Sequence, residues 1–453
     1  MNKKIITAFL ILFMLLFAFS FQRFIFTYHF SSADVKKNIS YLSSDVFKGR
    51  MAGTFENVAA SSYIKSQFES SGIVPLSSTY YENFNVVYPE KIDGLPYLRI
   101  LNKSGEVIKS FEYNKDFKED TLSFKQNHIS FSKASATNIN NDFIKILSGN
   151  NICVFYAPTD NKLAFRSSFD ANSKIALLIA VKKDVLNTIK DYLSKDNNVD
   201  CFIPYKENTA NIHNVVGFIS GRDSSLAPIV ISAHFDHMGQ DFSGNIYSGA
   251  LDNASGISFV MEMSKYIKSL GIPDRNIIFV GFNAEEYGFK GSSAFAKTYY
   301  SKIKGGKIFN FDMIGGSSSV PLSIMGSKKD TAATPLIKEV SNICKESHIK
   351  YKTLFQDASD HSPFRQLGIN AITFCDDDTT KIHTPNDKSQ FINANSIEAC
   401  YTVASKEILT SAFSKNPLVL YDKFILVFSA VGSVFAGIYV IQIVVKNKEK
   451  PQK

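Results

Sequence analysis

The 453-residue chain contains no tryptophan and only five cysteines. Cys153, Cys201, Cys344, Cys375 and Cys400 show no C-x-x-C spacing, which excludes a zinc-knuckle reading. An exported body would permit one or two disulfides, but an odd count leaves a thiol free or paired between chains. Internal repeats and low-complexity tracts are lacking, so solenoid and disordered architectures are set aside. A distributed basic surface is lacking too. The net charge is +8, yet Lys3, Lys4 and Arg23 at one end and Lys446, Lys448, Lys450 and Lys453 at the other supply most of it. No nucleic-acid partner is expected from so neutral a body. What is present is 45% hydrophobic residues, 20% charged residues and 39 phenylalanines. That suits a sizeable core, with room for one large domain plus additions or for two domains.

Both ends carry long apolar segments. Lys3 and Lys4 precede an uncharged run from Ile5 to Phe21, with Ala18-Phe19-Ser20 as a small-residue cleavage site. Residues 1–23 therefore read either as a signal peptide or as an N-terminal anchor that Phe24, Ile25 and Phe26 prolong. Phe424 to Val445 is uncharged, roughly 33 Å as a helix, enough to cross a bilayer. The basic residues 446–453 then form a cytoplasmic tail by the positive-inside rule. Lysines flank the outer end of each segment, so the body between them is expected outside the cytoplasm, at a cell surface, in a periplasm or in a lumen.

Between these ends the texture changes twice. Val35, Ile39, Leu42 and Val46 recur at helical spacing, as does the run Val58 to Phe68, so Ser32 to about Leu76 reads as helical, within an N-terminal part at residues 32–79. Residues 80–208 read as an inserted β-rich domain of short strands such as Tyr97–Leu101 and Ile152–Tyr156, broken by Asn, Ser, Asp and Lys clusters. Residues 209–415 alternate strand and helix. Val215–Ile219, Pro228–Ala233, Asn276–Phe282, Lys307–Phe311 and Ala371–Phe374 are the strands, and Ala254–Leu270, Thr334–Glu346 and Ala394–Phe413 the helices. The expected fold class is α/β, a mostly parallel mixed sheet sandwiched by helices.

Chemistry-bearing residues gather where those strands give way to loops, the place where open α/β sheets bind ligands. His234 ends the run PIVISA, with Asp236 placed to fix its tautomer as a second acceptor; His237 reads as a rim residue. Asp252, in LDNASG, is either a helix N-cap or a carboxylate that uses both oxygens on cations. Glu285 and Glu286 abut after a buried strand, a costly placement unless a cation or proton compensates, and along an extended chain they point in different directions. Asp312 ends the strand IFNF. His383 lies in a loop that Thr384-Pro385 holds extended. Ser359-Asp360-His361 either lines the same cleft or caps a loop.

The segments AHFDHMG, DNASG, NAEEYGFKGS, NFDMIG, SDHSPF and IHTPND, with YLSSDVFKGRMAGT near the start, resemble the motif series of the two-zinc aminopeptidase family. Bacterial leucyl aminopeptidases and aminopeptidase Y belong to that family; glutamate carboxypeptidase and glutaminyl cyclases are distant relatives. The resemblance covers roughly residues 33–76 and 210–413, and the insert sits where many members carry a protease-associated domain. It implies a zinc-peptidase core of the phosphorylase/hydrolase-like type and two Zn²⁺ per chain. Asp252 would bridge the ions, with His234 and Asp312 completing one site and Glu286 and His383 the other. Glu285 would be the general base, and Asp236, the acceptor beside His234, is counted with it as catalytic. The implied reaction is removal of N-terminal residues from peptides by a zinc-activated hydroxide. Alternatives on the same fold are a glutaminyl cyclase, a carboxypeptidase or a non-catalytic ectodomain. Cyclases place a Trp before the last His, where this chain has Ile382; and Leu251 stands where members often carry a second Asp.

Overall fold

Nine strands form one mixed sheet around which the rest of the chain is arranged. The computed structural model describes residues 3–165, 167–317 and 319–448. In the sheet, Tyr205–Ile219, Ile277–Phe282, Ile229–His234, Lys307–Asp312, Asn370–Cys375, Leu322–Gly326 and Tyr351–Phe355 lie side by side in that order. The four strands from Ile277–Phe282 to Asn370–Cys375 are mutually parallel, so their carboxyl ends share one edge. They are apolar runs because both faces are covered: every residue of Ile229–His234 and of Ile277–Phe282 is buried. Helices Gly256–Ser269, Pro335–Glu346 and Ala394–Ala412 pack into the main core with Ser32–Leu42 and Phe55–Ser70. The side chains of Ser31 and Thr54 cap the last two helices by accepting the N–H of Asp34 and Asn57, each worth about 1 kcal/mol.

The stretch between the flanking strands of the sheet builds two further sheets, of five and four strands, with its own apolar core. Tyr81–Lys91 pairs along its whole length with Tyr205–Ile219. That antiparallel ribbon carries the chain out of the main sheet and back. A helix, Lys183–Ser194, packs into the same apolar core.

Two terminal helices, Lys3–Phe26 and Asp422–Lys448, contain Ile5–Phe26 and Asp422–Ile443, each long and apolar enough to cross a membrane. They pack on each other. Phe13 meets Phe428 ring to ring at 5.7 Å, and Gly432 lies so close that a Cβ there would come within 2.6 Å of the Phe13 ring. The two terminal residues at the start, and those of the basic tail from residue 449, lie outside the described residues.

All five cysteines are buried free thiols, with no disulfide among the described residues. Two local expectations need correction. Glu285 and Glu286 sit in a turn rather than on extended chain, after Ala284 at φ 55°. His383 is itself left-handed at φ 54°, so its loop is not extended.

Candidate metal centre

The parallel strands deliver the site. His234 and Asp312 are the last residues of their strands, and Glu285 and Glu286 follow the strand that ends at Phe282. Asp252 arrives differently, in the turn Ala250–Ser255 that leads into the helix Gly256–Ser269. Asp387 shapes that turn by accepting the N–H groups of Leu251 (2.8 Å) and Asp252 (3.0 Å). Asn253 ties it to the Asp312 strand, donating to the Phe311 carbonyl and accepting the Met313 N–H. His383 comes from the loop beyond Asn370–Cys375.

The two oxygens of Asp252 face different partners. Oδ1 lies 3.5 Å from His234 Nε2, which is 3.4 Å from Asp312 Oδ1. Oδ2 lies 3.3 Å from His383 Nε2, which is 3.2 Å from Glu286 Oε2. A tetrahedron of N and O ligands about 2.0–2.1 Å from zinc has edges of about 3.3 Å. Both donor sets therefore have the spacing of a zinc coordination shell, and one carboxylate serves both. Imidazole nitrogens and Asp or Glu oxygens are both ordinary zinc ligands.

Electrostatics agree with cation binding. Burial works against a charged His234, but the Glu285 and Asp312 carboxylates outweigh it and hold its pKa well above the imidazole range. His383 is raised in the same way by Glu286 and Asp252. Against its own burial, Glu286 is driven well below the carboxylate range by His383 and His237. Glu285 behaves oppositely: burial, reinforced by Glu286, Asp360 and Asp312 against the opposing His234, lifts it well above the carboxylate range. Asp360 is lifted to about 7 by burial; its Oδ1 accepts the Ser292 hydroxyl at 2.5 Å, while Oδ2 is buried without a partner.

The supporting contacts hold several surprises. Asp236 lies 3.6 Å from His234 Nδ1 through its carboxylate and 3.3 Å through its backbone carbonyl. Its carboxylate accepts the N–H groups of Glu285 and Glu286. His237 is not at the rim. It is 1% exposed, and its Nδ1 lies 2.9 Å from Glu286 Oε1. A loop histidine carries no mark of burial in the sequence, which explains the misreading. Ser359 donates to Asp312 Oδ2 at 2.6 Å, so the SDH segment does reach the site.

Arg50 and Asp387 were not singled out at all. Arg50 is fully buried, and its guanidinium donates to the carbonyls of Leu42, Phe235, Ser248 and Gly249 at 2.7–2.9 Å. It thereby ties the loop after His234 to the turn before Asp252. Burial lowers its pKa to about 10, against the pull of Asp387, Asp252, Asp236 and Glu286. The only sequence signal was an arginine beside Gly49, ahead of Gly53-Thr54 in the family-like opening segment.

Comparison with known proteins bears on this geometry. Residues 214–408 match the family model described as Peptidase family M28. Aminopeptidase YwaD of Bacillus subtilis is 29% identical over 195 residues, 41% of this chain and 41% of the relative. A vacuolar membrane protease of Clavispora lusitaniae is 32% identical over 113 residues, 25% of this chain and 10% of that protein. The chain thus spans well under two thirds of the length of these curated relatives. Among solved structures, BSAP, a zinc aminopeptidase from Bacillus subtilis, superposes with a TM-score of 0.63 at 18% identity, covering 86% of this chain and 97% of that one. An aminopeptidase from Aneurinibacillus sp. strain AM-1 gives 0.57 at 18%, covering 85% and 94%. These superpositions show a shared fold. The stretch matched by that family model holds every residue of the two donor sets.

Proposed function

We propose that the protein is a zinc-dependent aminopeptidase that hydrolyses N-terminal residues of peptides, using two zinc ions per chain. The observation that carries the reading is the division of Asp252 between two donor sets at zinc-ligand spacing. His234 and Asp312 would complete one site, Glu286 and His383 the other. Zinc bound there would polarise the scissile carbonyl and acidify a water molecule.

The chain's own residues supply the rest. Glu285 is partly exposed beside the donor sets, with a carboxyl that burial raises well above the ordinary carboxylate range. It takes the proton of the attacking water and returns it to the leaving amine. Asp236, holding the backbone of Glu285, keeps that carboxyl in place. His237 and Ser359 occupy the outer oxygens of Glu286 and Asp312, leaving the inner ones to face the imidazoles.

The paired apolar terminal helices and the likeness to a vacuolar membrane protease support membrane anchoring; the lysines at the outer ends of both apolar segments are the support for a catalytic body on the extracytoplasmic side. The three-part body follows the same reading, with residues 32–79 and 209–415 forming the peptidase and 80–208 the inserted domain.

The test is an assay of the full-length protein in detergent against a panel of aminoacyl anilides, with zinc quantified by elemental analysis. Chelator-sensitive release of aniline and about two zinc ions per chain are expected. Cyclisation of N-terminal Gln, or cleavage only at peptide C-termini, would replace the aminopeptidase assignment.

A further inference from the structure

A short hairpin joins the two loops that supply His234 and Asp252. Its strands, Gly239–Gln240 and Ile246–Tyr247, pair antiparallel. On one side it rests on the peptidase core, where Gly239 donates to the Gly49 carbonyl at 3.1 Å. Gly49 is confined there: a Cβ would fall 2.4 Å from the Tyr247 carbonyl oxygen.

The other side is held by the inserted domain. Lys118 lies 3.1 Å from Asp241 at the hairpin's tip, and each side chain is only 1% exposed. Asn114 adds hydrogen bonds of 3.0 Å to Asp241 and to Ser243. Phe165 is buried against Tyr247, with ring centroids 4.6 Å apart, and against Met238, the neighbour of His237. The Lys118 ammonium sits 4.4 Å from the Phe165 ring centroid, so ion pair and aromatic wedge form one unit. The same stretch of insert reaches the second donor set. The Phe169 N–H donates to the Glu286 carbonyl at 3.1 Å, and its ring meets Tyr287 edge-on. Within the insert the stretch is pinned by Asp120, which accepts the Ser167 N–H at 2.9 Å.

A tether would not need such a seam. Burying a lysine and an aspartate costs desolvation that apolar packing avoids. What the pair adds is a single allowed register between insert and hairpin. We propose that the inserted domain is a positioning module for the metal centre. Through Phe165 and the Lys118–Asp241 pair it holds the hairpin, and with it the spacing between the His234 loop and Asp252. This rests on the zinc reading of the site.

The experiment compares full-length wild type with Phe165→Ala, Phe165→Leu and Lys118→Met, reading zinc affinity by competition with a chromophoric chelator in the cold. Thermal midpoint, kcat and KM are read on the same samples. Phe165→Ala and Lys118→Met are expected to weaken zinc binding at least tenfold and to lower kcat, with KM within about twofold of wild type. Phe165→Leu keeps the seam apolar and should show a smaller loss of the same kind; it carries the test if Phe165→Ala unfolds. A lower thermal midpoint with unchanged zinc affinity would reduce the seam to a stabilising contact and overturn the inference. A raised KM with unchanged zinc affinity would make the insert a substrate wall and overturn it equally. Wild type that binds no zinc defeats the peptidase reading itself, whereas variants matching a zinc-binding wild type defeat this inference alone.

Discussion

The Asp236 carboxylate accepts the backbone N–H groups of Glu285 at 3.1 Å and Glu286 at 3.2 Å, one on each oxygen. One acidic side chain therefore sets the backbone from which both the proposed base and a proposed ligand project. Asn keeps one acceptor and replaces the other with an NH₂ that opposes an N–H. Asp236→Asn is expected to lower kcat by about 10–100-fold, the usual cost of losing an outer support of a metal site. Circular dichroism should be unchanged. Wild-type turnover in this variant would remove Asp236 from the machinery.

Glu285 and Glu286 are neighbours with opposite electrostatics, which separates their variants. Burial raises Glu285, whereas His383 and His237 depress Glu286. Glu285→Gln removes the proton carrier and should cut kcat by about 10²–10⁴-fold, leaving zinc near two per chain. Glu286→Gln should instead lose zinc from the His383 side. Equal zinc contents in the two variants would show that the roles are wrongly divided.

The readability of each part of the site followed from how local its cause was. The strand ending at His234 was legible because a run buried on both faces needs no partner to be recognised. His234, Glu285, Glu286 and Asp312 inherit their places from such strands. Asp252 does not follow a strand; its turn depends on Asp387, far along the chain. His237 looked like any loop histidine, since burial is a property of what folds over it. Lys118 and Asp241 meet across 123 positions of sequence, and nothing near either residue announces the other.

Arg50 offers a stability test. Its guanidinium serves four carbonyls in a fully buried space, without a carboxylate in contact. Arg50→Met would strand those acceptors, at a cost on the order of 3 kcal/mol or more. Lysine cannot reproduce the planar fork, so Arg50→Lys should rescue only part of the loss. Denaturant unfolding of the three proteins measures this. Arg50→Lys as stable as wild type would mean that charge, not geometry, is what the loops require.

Proton release on zinc binding gives the last prediction its sign. Carboxylates hold His234 and His383 well above the ordinary imidazole value of 6.5, despite burial. Without metal, these protonated rings stabilise the fold below pH 6.5, and that contribution is lost as pH rises through their elevated values. Zinc requires neutral rings, so its uptake must displace the protons, and affinity should rise about tenfold per pH unit for each proton released. Chelator-treated protein should therefore melt at lower temperature as pH rises from about 6 to 8, while the gain in thermal midpoint on adding zinc grows. Zinc at a hundred times its Kd adds about 2.7 kcal/mol. Calorimetric titration in two buffers of different ionisation enthalpy counts the protons directly. Zinc uptake without proton release over that range would mean that the imidazoles are neutral beforehand, and that the carboxylates are balanced by something other than His234 and His383.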